Sequence, residues 1–190
     1  MERIDSVVDQ YNTSLTTDGD FKTEDESKAA FLKAFESCPY FRVYEEVDCW
    51  YFGGSVWADK PTGRIDYLLT PSKKLLDAGW KNGIIGVEVK KSGHKVGPLI
   101  CQMIDYSKAI YRLSGAAGNV LVCASSVCAW PPFSKGGTIQ SILSNNRLGV
   151  VCVDAKGYGI SVNGSWAFRN HIERGLHFVT LACGYKNGSR

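Results

Sequence analysis

Two apolar stretches of this 190-residue chain contain ionisable side chains. Asp66 sits inside Ile65-Asp66-Tyr67-Leu68-Leu69, and Glu88 and Lys90 sit inside Ile84-Ile85-Gly86-Val87-Glu88-Val89-Lys90. Charged groups are seldom buried unless they are paired or bind a metal. Side chains alternate across a strand, so Glu88 and Lys90 project from one face while Val87 and Val89 fill the other. Asp66 can join that first face from a neighbouring strand. Two carboxylates beside an ammonium at a sheet end are the parts of a magnesium-dependent phosphodiesterase. Magnesium takes oxygen ligands and keeps several waters, and an ammonium offsets the charge that develops at phosphorus. The competing reading is a buried structural ion pair. Such pairs gain little over apolar packing, so three ionisable groups in two apolar strands favour chemistry.

The elements that must position these residues follow from periodicity. Ile4, Val7, Val8, Tyr11 and Leu15 recur at helical spacing, and Asp18-Gly19-Asp20 breaks that helix. A second helix starts at Thr23, where Thr23 and Glu26 match a capping box. Its core side is Ala30, Phe31, Ala34 and Phe35, and Cys38-Pro39 ends it. Strand-like runs follow at Phe41 to Phe52, Arg64 to Leu69 and Ile84 to Lys90, with a turn at Pro71-Ser72 and a short Lys73–Ala78 segment between the last two. The third run is almost continuously apolar, as expected for a strand covered on both faces. Gly97-Pro98 opens a helix expected to run to about Leu113 and stop near Gly115. Asn119 to Ser125 and Leu148 to Asp154 read as further buried strands. A hairpin over Lys156-Gly157 leads into Ile160-Ser161-Val162, and a short helix plus a final strand or tail is expected from Asn170. The fold class is α/β, with a mixed central sheet.

Gln102 and Tyr106 lie four apart on the helix after Glu88 and so share one of its faces. With an acid on one strand, E-x-K on the next after 21 intervening residues, and Q-x-x-x-Y on the following helix, the chain resembles the PD-(D/E)XK nuclease superfamily. The likeness is to its RecB-like branch, which includes exonucleases related to that of phage lambda, and it covers roughly residues 22 to 155. It implies a restriction-endonuclease-like core with a mixed central β-sheet flanked by helices, as a single domain over residues 1–190. It further implies a Mg2+- or Mn2+-dependent deoxyribonuclease acting on DNA. In that assignment Asp66, Glu88 and the backbone carbonyl of Val89 hold the metal, Lys90 orients the attacking water, and Gln102 and Tyr106 position the water, the metal shell or the nucleotide backbone. Family members often carry a Glu on the first core helix, for which Glu26 is the candidate and Glu24 and Glu36 the alternatives. Glu45 and Glu46 read as hairpin surface, with one of them able to face the site. Two features depart from the branch: this chain has no His before His94, and it lacks the cysteine set that binds an iron–sulfur cluster in some relatives. Asp154-Ala155-Lys156 also ends an apolar strand in D-x-K form, but no Q-x-x-x-Y helix follows it.

Composition narrows the alternatives. The net charge of +3 neither requires nor opposes a nucleic-acid partner, so the distribution of charge matters more. Arg64, Lys90, Lys91, His94, Lys95, Lys108 and Arg112 form an expected basic rim for phosphate, with Arg64, Lys91, Lys95, Lys108 and Arg112 as substrate-binding candidates. The seven cysteines are scattered without a C-x-x-C pair, and the histidines are not at zinc-finger spacing, which argues against a structural zinc. Trp50, Tyr51, Phe52 and Trp57 read as core aromatics rather than base-stacking platforms. No run approaches the ~20 apolar residues of a membrane span and no apolar signal core is evident, so an intracellular protein without a membrane partner is expected. A homo-oligomer is compatible with exonucleases of this fold, although no interface is identified. The alternatives to a deoxyribonuclease are a non-catalytic nucleic-acid- or protein-binding module on the same fold and a nuclease acting on RNA.

Overall fold

Helix α1 (Glu24–Phe35) begins where Thr23 and Glu26 cap it reciprocally, and two phenylalanines in its second half anchor it to a sheet. The Glu26 N–H donates to Thr23 Oγ1 at 3.2 Å, and the N–H groups of Thr23 and Lys22 donate to Glu26 Oε2 at 3.2 and 2.8 Å. This is the reciprocal box that satisfies otherwise orphaned helix donors. The computed structural model describes residues 22–35, 38–50, 60–80, 83–91, 94, 96–113, 116–125, 145–146, 148–154, 157–162, 165–171 and 175–178. The expected helix over Ile4 to Leu15 lies outside them.

In chain order the elements are α1 (Glu24–Phe35), β1 (Phe41–Trp50), β2 (Gly63–Pro71), α2 (Lys73–Asp77), β3 (Ile84–Glu88), α3 (Val96–Lys108), β4 (Ile110–Leu113), β5 (Ala116–Ser125), β6 (Leu148–Asp154), β7 (Gly157–Val162), β8 (Ser165–His171) and β9 (Gly175–Phe178). The strands form one mixed sheet in the order β3-β2-β1-β4-β5-β6-β7-β8-β9, and β3 also pairs with β5. The pairings β1–β2, β2–β3, β3–β5, β5–β4 and β4–β1 therefore close on themselves. Strand β5 runs parallel to β3 and to β6, while the other pairings are antiparallel. Parallel neighbours need a long connection, and α3 supplies it between β3 and β5. Among the described residues no helix is long and apolar enough to cross a membrane.

Alternation along the strands divides the core in two. Tyr67, Leu69, Ile85, Val87 and Val89 pack with Phe31 and Phe35 of α1, whereas Leu68 packs with Leu99, Ile100, Met103 and Tyr106 of α3. Phe31 is fully buried and stacks on Phe35 and Tyr67 at centroid distances of 4.7 and 4.6 Å. The buried side of α1 carries Ser27, Phe31 and Phe35, with Ala30 and Ala34 only partly buried. After α2, Gly79 takes φ 100°, a left-handed turn that suits glycine, and Trp80 follows it into the core at 3% exposure.

One expectation is corrected, and a second falls largely outside the described residues. The helix expected to reach Leu113 stops at Lys108, where Ala109 N–H bonds the Tyr106 carbonyl at 3.2 Å. Ile110 to Leu113 form β4 instead, so Arg112 lies on a strand and not on the helix. The β4 segment is rich in strand-favouring side chains, and its Tyr111 is fully buried, donating through its hydroxyl to the Tyr106 carbonyl at 2.9 Å. The helix expected after Asn170 is not present among the described residues. Asn170 and His171 end β8, which pairs with β9 in the register Arg169 to His177.

Replacing Phe31 with Ala should lower the stability by about 3–5 kcal/mol, because it removes two ring contacts and leaves a cavity under α1. Urea unfolding followed by tryptophan fluorescence would measure it. A loss below about 1 kcal/mol would show that α1 is not anchored through this ring.

Candidate active site

The β2–β3 ladder pairs Leu69 with Ile85, Leu68 with Gly86 and Tyr67 with Val87, and there it stops. The next step of the same register sets Asp66 opposite Glu88. On the other side of β2, Glu45 pairs with Tyr67 and Val47 with Ile65, which sets Glu46 opposite Asp66 at a step without a ladder pair. Three carboxylates thus occupy one cross-strand row, Glu46, Asp66 and Glu88. Like charges directly opposite one another destabilise a sheet, so the row requires cations.

Side chains from α1 and the strand ends supply them, and α3 adds a neutral amide. Asp66 is 7% exposed; its Oδ2 accepts from the Val89 N–H at 2.7 Å, and its Oδ1 pairs with Lys28 Nζ at 2.5 Å. The Asp66 side chain takes over the Val89 N–H one residue beyond the end of β3. Lys28 also reaches Glu46 Oε1 at 3.0 Å, and Arg64 Nε holds the other Glu46 oxygen at 2.9 Å. Glu46 adopts φ 50°, a left-handed conformation that costs a residue with a side chain on the order of 1 kcal/mol. Glu88, 3% exposed, accepts two hydrogen bonds through its Oε1. Lys90 Nζ donates to Oε1 at 2.6 Å, Gln102 Nε2 donates to the same oxygen at 2.7 Å, and Lys90 lies 3.6 Å from Glu24 Oε1.

Behind this row, Gln102 Nε2 donates to Tyr106 Oη at 3.2 Å and Tyr106 Oη donates to the Arg64 carbonyl at 2.6 Å. The i, i+4 spacing places Gln102 and Tyr106 on the α3 face turned toward β2 and β3. From the opposite side, fully buried Ser27 donates through Oγ to the Lys90 carbonyl at 3.1 Å. The first turns of α1 and the middle of α3 therefore meet at the end of the β2–β3 pair.

The electrostatics share one sign. Burial, then the charge of Asp66, pushes the Glu88 carboxyl from an ordinary 4.5 up to about 7, against the opposing pull of Lys90. Burial works against the ammonium of Lys28, but its bonds to Asp66 and Glu46 outweigh it and raise that group's pKa. Burial also opposes the charge on Lys90, and the bond to Glu88 together with the charges of Glu88, Glu24 and Asp66 raises it. Above about pH 7, with Glu88 ionised, four carboxylates (Glu24, Glu46, Asp66, Glu88) face three cations (Lys28, Arg64, Lys90), so the cluster then favours added positive charge.

A divalent cation fits this chemistry in one respect above all: Glu88 Oε2 is buried and has no hydrogen-bond partner. A buried carboxylate oxygen is costly to leave unpaired, and a proton or a metal ion relieves it. The donors are hard oxygens, as magnesium or manganese requires, and two carboxylates suffice for an ion that keeps its waters. Among the described residues no group of three or more His, Cys, Asp or Glu side chains is placed to hold a metal by itself. Both oxygens of Asp66 already have a partner, so a cation bound there competes with Lys28.

Of the sequence-derived candidates, Asp66, Glu88, Val89, Lys90, Gln102 and Tyr106 are brought together. Glu26 is not: its carboxylate caps α1 and points to the Lys22 and Thr23 amides. The acid of α1 that reaches the cluster is Glu24. Arg64 stands at the edge with Glu46. Lys91 is exposed on the segment after Lys90, and Lys108 is exposed at the end of α3. Lys95 and the Arg112 side chain lie outside the described residues, as do Tyr51, Phe52 and Trp57. Trp50 is 5% exposed and belongs to the interior. Sequence reasoning missed Lys28, Ser27 and, in part, Glu46. A signal for the first two existed: Glu24, Ser27, Lys28, Phe31 and Phe35 are spaced along one helical stripe, polar at its start and apolar beyond.

Glu88 gives a pH test with a definite sign. Its folded pKa lies above its unfolded one, so its protonated form favours the folded state at acid pH, and that contribution is lost as pH rises through about 7. Glu88→Gln, which is neutral throughout, should therefore gain stability relative to the unaltered chain by on the order of 2 kcal/mol between about pH 5 and about pH 8. Thermal melts of both proteins at the two pH values would measure it, and a difference independent of pH would refute the raised pKa. No protein-family model matches this chain, and neither a curated protein nor a solved structure matches it, so the reading of the site rests on these side chains and distances.

Proposed function

We propose that the chain is a divalent-cation-dependent deoxyribonuclease with a restriction-endonuclease-like core, hydrolysing phosphodiester bonds at the Asp66–Glu88–Lys90 cluster. The observation that carries this reading is the buried, unpartnered Glu88 Oε2 beside Asp66 and Lys90, at the point where the β2–β3 ladder ends. The antiparallel pairings β1–β2 and β2–β3, followed by a helical crossover into parallel β5, support it, since the resemblance implies a mixed central β-sheet flanked by helices.

In this reading Asp66 and Glu88, with the Val89 carbonyl, would hold Mg2+ or Mn2+. The bound ion supplies Lewis acidity at the phosphoryl oxygen and a water of lowered pKa. Lys90, whose side chain is 14% exposed and already within 2.6 Å of Glu88, presents an ammonium to the charge developing at phosphorus. Gln102 is a positioning residue: it fixes Glu88 Oε1 and leaves the buried Oε2 without a partner. Tyr106 fixes Gln102 in turn and ties α3 to the Arg64 carbonyl. The Arg64 and Lys91 side chains, both exposed, flank the cluster as phosphate contacts.

One observation favours a second reading, a binding module without catalysis: Asp66 is satisfied as it stands, by Lys28 and by the Val89 amide. A single set of assays separates the readings. Labelled linear, circular and single-stranded DNA, and RNA of matched length, are incubated with Mg2+ or Mn2+ and with chelator. Metal-dependent DNA products are expected, reduced on the order of 100-fold or more in both Glu88→Ala and Lys90→Ala. Products made equally by both variants would place the chemistry elsewhere. Binding without cleavage by the folded, unaltered chain would support the module, and cleavage confined to RNA would change the substrate class.

A further inference from the structure

Lys28 is the cation that the sequence did not bring forward, and its position is specific. Its ammonium lies between two carboxylates on adjacent strands, Asp66 Oδ1 on β2 and Glu46 Oε1 on β1. The first is the Asp66 oxygen not held by the Val89 amide. The second belongs to a residue whose left-handed backbone turns its carboxylate toward Lys28 and Arg64. Backbone outliers of this kind persist where the surroundings hold them in place, and they cluster at functional sites.

We infer that Lys28 is a built-in competitor for the cation at Asp66, and that Glu46 retains its ammonium when a divalent ion displaces it. The inference rests on the nuclease reading above. An ammonium and a divalent ion in contact with the same carboxylate oxygen repel each other, so occupancy of Asp66 by one disfavours the other. Lys28 has a second partner within reach at 3.0 Å and can give up Asp66 while remaining paired. Arg64 steadies that partner through its other oxygen. The swap leaves the charge of the row better balanced, since the divalent ion adds positive charge near both Asp66 and Glu88. It would keep the carboxylate pair neutralised and the fold intact while no metal is bound.

The test is Mn2+ affinity, read by electron paramagnetic resonance of the free ion, without substrate. Lys28→Gln removes the competitor and should bind Mn2+ more tightly than the unaltered chain, by on the order of tenfold. Glu46→Gln removes the resting place and should weaken binding, and this weakening should largely vanish in the Lys28→Gln, Glu46→Gln double variant. Asp66→Asn should abolish the effect of Lys28→Gln. Equal or weaker binding by Lys28→Gln, with the unaltered chain binding Mn2+, would overturn the inference and leave the nuclease reading standing. Failure of both proteins to bind Mn2+ would overturn both. Should Lys28→Gln not fold, Glu46→Gln on the edge of the cluster decides alone: unchanged or tighter Mn2+ binding by it overturns the inference.

Discussion

A row of three carboxylates across adjacent strands is the constraint to which the rest of this structure answers. Glu46, Asp66 and Glu88 stand opposite one another on β1, β2 and β3, at the steps where ladder pairing lapses. Left alone, such a row would pull the meander apart. The neighbouring elements are arranged to prevent this: α1 brings Lys28 from one side, the segment after β3 brings Lys90, β2 brings Arg64, and α3 brings the amide of Gln102. Buried ion pairs seldom gain over apolar packing of the same volume. Two of these pairs, Lys28–Asp66 and Lys90–Glu88, are largely buried, which is why the proposed reading gives them a part in chemistry.

The same contacts tie the charged row to the two cores. Lys28 is three residues from Phe31, which stacks on Tyr67, and Tyr67 is the residue after Asp66. Ser27 bonds the Lys90 carbonyl while Tyr106 bonds the Arg64 carbonyl, so each helix grips the backbone of a strand end as well as its side chains. Backbone contacts of this kind hold side chains with little freedom, which is what preorganised electrostatics needs. The capping box at Thr23 and Glu26 fixes the first turn of α1, and with it the reach of Glu24 and Lys28. Glu26 thus matters to the site through the helix it starts, without touching the cluster.

The unpartnered oxygen of Glu88 and the doubly engaged Asp66 give the two carboxylates different roles. Glu88 Oε2 is buried without a hydrogen-bond partner, and burial together with the charge of Asp66 holds the proton of this carboxyl to about pH 7. Asp66 is closed by an amide and an ammonium. In the proposed reading the two change together, because the charge of Asp66 is itself a cause of the raised Glu88 pKa.

Much of this was legible in the chain itself. Alternation and apolar runs located the three strands of the meander, with bounds close to those observed. The same runs made Asp66, Glu88 and Lys90 conspicuous, because a charged residue inside an apolar strand is a local anomaly that needs no partner to be seen. Gln102 and Tyr106 followed from helical spacing, and Thr23 with Glu26 from the capping pattern. The β4 strand and the β8–β9 hairpin were not legible, since short segments of mixed propensity take the state that their ladder partners impose. The choice of Glu24 over Glu26 depended on which way the capped turn faces the sheet. The bridging of Lys28 to Asp66 depended on α1 crossing strands that lie 18 and 38 residues further along the chain. Local side-chain chemistry and periodicity are properties of the sequence alone. Which charges neutralise which is decided by packing, because Coulomb attraction acts through distances that only the folded chain sets.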